Sequence, residues 1–536
     1  MDKPRENTSV ALVGPALQEN LALMYLAAAV EREGFRAPLV RFNDLDDLDS
    51  CVRHIVSTNP TMVGLGIPFQ YCIDDYLLLA RKIRVTGYVG HITCGGHVPT
   101  FNYRDLLRDA PAVDTVVRHE GEQTLVELML ALHEDRPLAG IKGLVWRSDQ
   151  ELVREPHRPL VRDLDTYATP KREPEKRRLC GIPLACILTS RGCGGDCAYC
   201  CIRAFAKDAG GPRHRMRSPE AVAQEMSELH YQRGVKAFMI QDDLFILTRP
   251  EQAIQRMNAL GDGLRNHGVN EIALWVKGRP DSITPEVLDA AARLGVIHLF
   301  LGIESASESR LRYFGRTHTH ADSIRALHLC KEHGVRASFN LLLFDPDCTL
   351  DDVAAGLDFA SGYLDQPWNF CRTEIYSGAH LENRLRQQGR LSGDYRSYGY
   401  TMTDKRAETA FRIMRVCYHE RAFSLSGLLN RMISLSFGRQ LHEKFFKGPN
   451  TEKLSAEVDQ LLIDTYRDTC ENAKRVLDYA ASVDLGETEA IGDFAVDLAL
   501  KMNQGDLERR KKCLDLLRRF SRTGMMYPLS KEETSL

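Results

Sequence analysis

Four cysteines fall within nine residues in the stretch LTSRGCGGDCAYCCIRAF, residues 188–205. Three of them, Cys193, Cys197 and Cys200, are spaced C-x3-C-x2-C, so three thiolates on one short loop can converge on one metal centre. Gly192, Gly194 and Gly195 let the backbone curl tightly around it. A closed structural zinc site needs a fourth protein ligand, usually from a second CxxC or a histidine pair at set spacing, and the neighbouring sequence has neither. A cubane iron–sulfur cluster held by three thiolates leaves one iron open. Cys201 lies next to Cys200, has to point elsewhere, and reads as a packing residue.

The elements that must carry this loop are legible around it. It follows LACILTS, the first of six strand candidates that continue with KAFMIQ, EIALWVK, IHLFLGI, RASFNLLLF and WNFCRTEIY, with helical segments such as SPEAVAQEMSELHYQRG between them. Six successive βα units predict a partial barrel, with function at the carboxyl ends of its strands. Upstream, SVALV, APLVR, TMVGLGI, HITCGG and VDTVVR alternate with helices, which predicts a parallel, doubly wound sheet with glycines at its strand ends. Between the two, GLVWRSDQELVREP reads as a hairpin and YATPKREPEKRR as an exposed connector. Beyond residue 400 the texture turns to charged amphipathic helices. The expected order is a sheet domain at 1–140, a linker at 141–180, the partial barrel at 181–400 and a helical region at 401–536.

Composition narrows the function classes. A chain of 536 residues with 43% hydrophobic content needs no disulfides to fold, and most of its 15 cysteines stand singly in apolar surroundings. Seventy basic residues against 73 acidic ones leave no field for a polyanion, so nucleic acid is not the expected partner. The polar start MDKPRENTSV lacks a signal-peptide core and no apolar run is long enough to span a bilayer, so the expectation is a cytoplasmic protein off the membrane.

The tri-cysteine motif, with Tyr199 before its last cysteine and a βα barrel behind it, resembles that of the radical S-adenosylmethionine superfamily. The resemblance implies a 4Fe–4S cluster on Cys193, Cys197 and Cys200, whose open iron chelates S-adenosylmethionine. One electron from a donor such as flavodoxin or ferredoxin then splits the sulfonium to a 5′-deoxyadenosyl radical. LGIES resembles the fourth-strand motif and makes Glu304 a candidate for holding a polar group of S-adenosylmethionine. IQDDLF makes Asp242 and Asp243 candidates for ribose or substrate, and VKGRPD makes Arg279 a candidate for the methionyl carboxylate. Each has a plainer reading as an ion pair at a strand end. LLLFDPDCT departs from the glycine-proline-glycine turn of many members.

CGGHVPTFNYRDLL followed by VDTVVRHEGEQTLVELM is similar to the cobalamin-binding domain that precedes the barrel in cobalamin-dependent members. By that resemblance Gly95 and Gly96 allow close approach of the nucleotide tail, and the corrin faces the cluster. The D-x-H-x-x-G motif is absent from GPALQENLALMY, so cobalt is expected base-off; His97 and His119 read as loop residues. The family implies a small-molecule substrate and, as the leading outcome, methylation of an unactivated carbon of a specialised metabolite. Cyclisation, ring contraction or oxidation without net methyl transfer is the alternative, and a non-catalytic cofactor-binding protein is the alternative of another class. The helical region is expected to cover the active site, with Tyr376, Tyr395, Tyr398 and Tyr400 as the first candidates for substrate contact.

Overall fold

β-Branched runs and helices alternate from the start of the chain; in the structure, a computed structural model that describes residues 4–148 and 151–521, they form a seven-stranded sheet. Its elements run β1 (Val10–Gly14), α1 (Leu21–Arg32), β2 (Leu39–Arg41), α2 (Leu48–Thr58), β3 (Met62–Gly66), α3 (Ile73–Val85), β4 (His91–Gly95), α4 (His97–Asp109), β5 (Thr115–Val117), α5 (Glu122–His133), β6 (Leu144–Ser148) and β7 (Glu151–Arg154). The order is β2-β1-β3-β4-β5-β6-β7, with the first five strands parallel and the last two antiparallel. All of β1 is buried, as a strand covered by helices on both faces must be. β6 and β7 extend this sheet into the expected linker: Leu144 and Val145 are fully buried, so the hairpin is part of the domain. Residues 1–3, 149–150 and 522–536 lie outside the described residues.

The second sheet starts with β8 (Arg178–Leu179) and β9 (Ile182–Ile187). The chain then leaves it for β10 (Ser190–Gly192), α6 (Ile202–Ala209) and β11 (His214–Met216). It returns with α7 (Pro219–Arg233), β12 (Ala237–Ile240), α8 (Pro250–Asn266), β13 (Ala273–Gly278), α9 (Pro285–Leu294), β14 (Val296–Glu304), α10 (Glu308–Tyr313), α11 (His320–Glu332), β15 (Arg336–Phe344), α12 (Leu350–Ser361) and β16 (Trp368–Arg372). β9 and β12–β16 pair in parallel and in chain order, and β8 adds an antiparallel edge: an open, six-stranded partial barrel. Thr319 and Thr349 start α11 and α12 with capping boxes closed by Asp322 and Asp352.

After β16 come α13 (His380–Gln387), the small hairpin β17 (Ser392–Asp394) and β18 (Ser397–Gly399), and four long helices: α14 (Lys405–Cys417), α15 (Leu428–Phe445), α16 (Pro449–Ser482) and α17 (Thr488–Phe520). Arg421, fully buried between the helices, donates to Asp506 at 2.6 and 2.9 Å and stands 2.7 Å from Asp468. α15 places Phe437 and Leu441 among Ile182, Leu184, Ala237 and Ala273, the first residues of the barrel strands. It therefore plugs the amino end of the barrel, opposite the mouth that a lid would cover. At the carboxyl end the lead-in segment is present instead, with Tyr400 Oη donating to the carbonyls of Phe344 and Thr373 at 3.2 and 3.0 Å.

The plug also sets a pH dependence. His298 on β14 is fully buried beside Phe437, with Nε2 2.7 Å from Ser338 Oγ and Nδ1 3.0 Å from Gln440 Nε2. Burial pushes this imidazole down to about 3. The unfolded chain takes up a proton near pH 6.5 that the folded chain refuses until about pH 3, so stability from this group is intact above 6.5 and drains away as pH falls through that window. Urea midpoints measured from pH 7 to 4 should fall, and in His298→Gln, which keeps a polar partner for Ser338, they should fall less steeply; equal slopes would refute the assignment.

Backbone contacts divide the described chain into two compact units. One comprises 1–174, 190–218 and 374–399, and the other 175–189, 219–373 and 400–536. The cysteine loop thus belongs to the same unit as the first sheet.

Candidate active site

In the first unit the cysteine loop hangs from the two-stranded ribbon β10–β11, where Ser190, Arg191 and Gly192 pair with Met216, Arg215 and His214. Gly192 has φ +82°, and a Cβ there would come within 2.1 Å of the Arg213 carbonyl oxygen, so only glycine closes the ribbon. Beyond it the Gly195 amide donates to Cys193 Sγ at 3.3 Å, and the Cys200 amide to the Cys197 carbonyl at 3.1 Å. Cys193, Cys197 and Cys200 are half-buried, and Cys201 is the N-cap residue of α6. The scattered cysteines differ: burial pushes the thiols of Cys51, Cys180, Cys330 and Cys348 up to about 12. The loop therefore offers accessible thiols, the donor set a cluster requires, where the core thiols are shut away by burial.

The ribbon is clamped to the turn between β5 and α5. Arg191 stands 3.1 Å from Glu120 and 2.6 Å from Glu122, and Arg215 donates to both oxygens of Glu120 at 2.6 and 2.9 Å. Burial works to raise the Glu120 carboxyl, but hydrogen bonds and charge from Arg215 and Arg191 outweigh it and hold it below the usual range. The Arg191 guanidinium lies 4.6 Å from the ring of Tyr167 and 5.1 Å from that of Tyr25. From the other side the Leu381 amide donates to the Ala198 carbonyl at 2.8 Å. The segment 374–399, which carries Leu381, is also held by Gln70 after β3, which donates to the Tyr395 carbonyl and accepts from the Ser377 amide.

The carboxyl edge of the sheet brings together Gly14, Gly66, Gly95 and Gly96. Gly96, with φ +115°, caps α4, and a Cβ there would lie 2.4 Å from the Ile67 carbonyl oxygen; at Gly95 one would lie 3.2 Å from that of Val117. The close approaches seen at these glycines are to the loop after β3 and to the end of β5. His97 packs its ring 4.7 Å from Phe205, and His119 its ring 5.0 Å from the same side chain. In the loop after β1, where a lower-ligand histidine would stand, Asn20 accepts from the Leu23 amide as a helix cap.

In the second unit Glu304 ends β14 with φ +67°, in the left-handed region, where the pairing with β15 shifts register. Strain of this kind is held where a side chain has to be aimed. Asp242, 1% exposed, accepts from the Thr189 amide at 2.7 Å and from Thr189 Oγ1 at 2.5 Å, which ties the ends of β12 and β9 together. Asp243 is exposed. Arg279 makes a bidentate pair with Asp281 at 2.8 and 3.0 Å and also donates to Thr317, so its plainer reading as an ion pair at a strand end is the arrangement present. Lys277 pairs with Phe300 and Phe300 with Ser338, so alternation places Lys277 and Asn340 on one face of the sheet, and Asn340 Oδ1 is buried without a hydrogen-bond partner. Neither was singled out by motif reasoning; the half-buried alternation within EIALWVK and RASFNLLLF was the available signal.

A doubly wound sheet that shares a unit with a tri-cysteine loop, together with an open six-stranded barrel, defines a two-cofactor architecture. A model of the radical SAM superfamily matches residues 187–360 and one of the B12-binding domain matches residues 9–129. The chain belongs to the cobalamin-dependent radical S-adenosylmethionine enzymes, and its cofactors are those of the family: a 4Fe–4S cluster, S-adenosylmethionine and cobalamin. It is 31% identical over 402 residues to the uncharacterized methyltransferase PH0819 of Pyrococcus horikoshii, an alignment covering 73% of this chain and 82% of that protein. In fold it is similar to TsrM from Kitasatospora setae, solved with cobalamin and a 4Fe–4S cluster, at 23% identity and a TM-score of 0.59, covering 71% of this chain and 78% of that one. It is also similar to OxsB, solved with aqua-cobalamin, at 17% identity and a TM-score of 0.67, covering 98% and 82%. Among the described residues no helix is long and apolar enough to cross a membrane.

Proposed function

We propose that the protein transfers a methyl group to an unactivated carbon of a small metabolite. The observation that carries this reading is the clamp of Arg191 and Arg215 on Glu120 and Glu122, which fixes the cysteine loop to the cobalamin-type sheet. The likeness to a methyltransferase over 73% of the chain supports the same reading. When bound, the cofactors supply hydrogen abstraction by a 5′-deoxyadenosyl radical and a methyl donor that a carbon radical can accept from. The protein's own work is placement and exclusion of water. Cys193, Cys197 and Cys200 would hold the cluster, and Glu304, aimed by its strained backbone, would accept from a polar group of S-adenosylmethionine. Lys277 and Asn340 offer substrate a cation and an unsatisfied carbonyl on the same face. α15 closes the amino end of the barrel against water.

Product counting tests the proposal. Reconstituted holoenzyme, given an external one-electron donor and candidate metabolites, should form S-adenosylhomocysteine and 5′-deoxyadenosine together, one of each per methylated product. 5′-Deoxyadenosine with a transformed but unmethylated product would replace the proposal with cyclisation or oxidation, and absence of S-adenosylmethionine cleavage would replace it with a binding role.

A further inference from the structure

Near the cysteine loop, but separate from it, His119 after β5, His157 after β7 and Asp208 in the last turn of α6 converge. One ligand atom from each lies within 4.8 Å of the other two. His119 Nε2 is 3.0 Å and His157 Nδ1 3.6 Å from Asp208 Oδ2, and the two rings are 5.2 Å apart. The His119 side chain is 1% exposed; its Nδ1 makes no hydrogen bond, and the only polar group at its Nε2 is the Asp208 carboxylate. Its backbone is in the left-handed region at φ +63°, where a residue other than glycine is strained, and its amide is pinned by Thr100 Oγ1 at 2.9 Å. A buried imidazole whose only polar partner is a carboxylate, delivered by a strained backbone beside a second imidazole, is an arrangement that a cation would complete.

We propose that His119, His157 and Asp208 bind a divalent transition-metal ion, zinc or one of similar softness, which pins the helix after the cysteine loop to the sheet. Two nitrogens and a carboxylate oxygen suit such an ion better than magnesium or calcium, and three protein ligands leave room for water. Burial lowers both imidazoles, His119 to about 4, so each keeps a lone pair at neutral pH. His157 and Asp208 are partly open to solvent and give the ion a way in. Two cations oppose it. Arg118 is buried against the ring of Tyr103, and Arg154 contacts His157 Nε2. Binding through Nδ1 keeps the proton on Nε2, so Arg154, itself exposed, has to turn away.

The experiment uses full-length holoprotein dialysed against micromolar zinc, gel-filtered and analysed for metal. One zinc per chain should be retained beyond the iron of the cluster. His157→Ala and Asp208→Ala should each weaken zinc binding by about 100-fold or more. His119→Gly should lose zinc, with relief of the left-handed strain offsetting part of the packing its buried ring gives up, and circular dichroism confirms that the variant is folded. A protein with Cys193, Cys197 and Cys200 all changed to alanine should keep its zinc, which separates this site from zinc captured by the loop. No retained zinc, wild-type retention in the His157 and Asp208 variants, or loss only with the cysteine variant would each overturn the proposal.

Discussion

Alanine at Cys193, Cys197 or Cys200 abolishes the iron–sulfur chromophore and all 5′-deoxyadenosine formation, whereas Cys201→Ala retains both: this is the expected result with the largest effect. Three thiolates hold three of the four irons and leave one open, and a cluster short of one of them is not retained, so no partial activity should survive the loss of any of them. Replacement of a lost ligand by another thiol is not expected. Cys201 directly follows Cys200 at the start of α6, outside the C-x3-C-x2-C spacing, and burial raises the thiols of Cys51, Cys180, Cys330 and Cys348 to about 12, which keeps them protonated. Iron content and the visible spectrum of reconstituted protein read the outcome. A Cys201→Ala protein without a cluster, beside a Cys200→Ala protein that keeps one, would reverse the ligand assignment.

The second large effect concerns the barrel floor. Phe437 is fully buried, with its ring 5.0 Å from that of Trp275 and 5.7 Å from that of His298. Phe437→Ala should remove about 3–5 kcal/mol, because the rigid strand starts around it cannot collapse into the space. Phe437→Leu should lose a smaller part. Trp275 fluorescence during denaturant unfolding reports the change beside the altered side chain. A loss below about 1 kcal/mol, ordinary for an unremarkable position, would mean that α15 is not seated there. The same packing changes what truncation means: a chain ending near residue 405 loses its floor as well as any cover, so it tests folding rather than lid closure.

Strand and helix signals in this chain are strong enough that all eleven strand candidates of the two sheets stand where the alternation of β-branched runs put them. The cysteine motif was legible for a related reason, since its residues are close in sequence and their chemistry depends on that closeness. The parts that were not legible are long-range. Arg191 and Glu120 are 71 positions apart, and no local pattern in RGCGG or RHEGE announces that they meet. Asp242 and Arg279 have the residue types of a binding site, and each also bonds to residues of the strand ends, Asp242 to Thr189 and Arg279 to Asp281 and Thr317, partners that no motif announces. The helical region was expected over the mouth because its sequence is amphipathic and uncommitted; that pattern gives no direction, and Phe437 sends α15 to the other end.

The division of the chain has a practical meaning for anyone recombining such enzymes. A chimera cut at residue 174, the natural place by linear reading, would take Glu120 and Glu122 from one parent and Arg191 and Arg215 from another, and would separate Gln70 and Asn102 from the Ser377 they bind. The heritable module is discontinuous. To exchange the sheet is to exchange 190–218 and 374–399 with it, so sequence drift in any one of the three stretches constrains the other two.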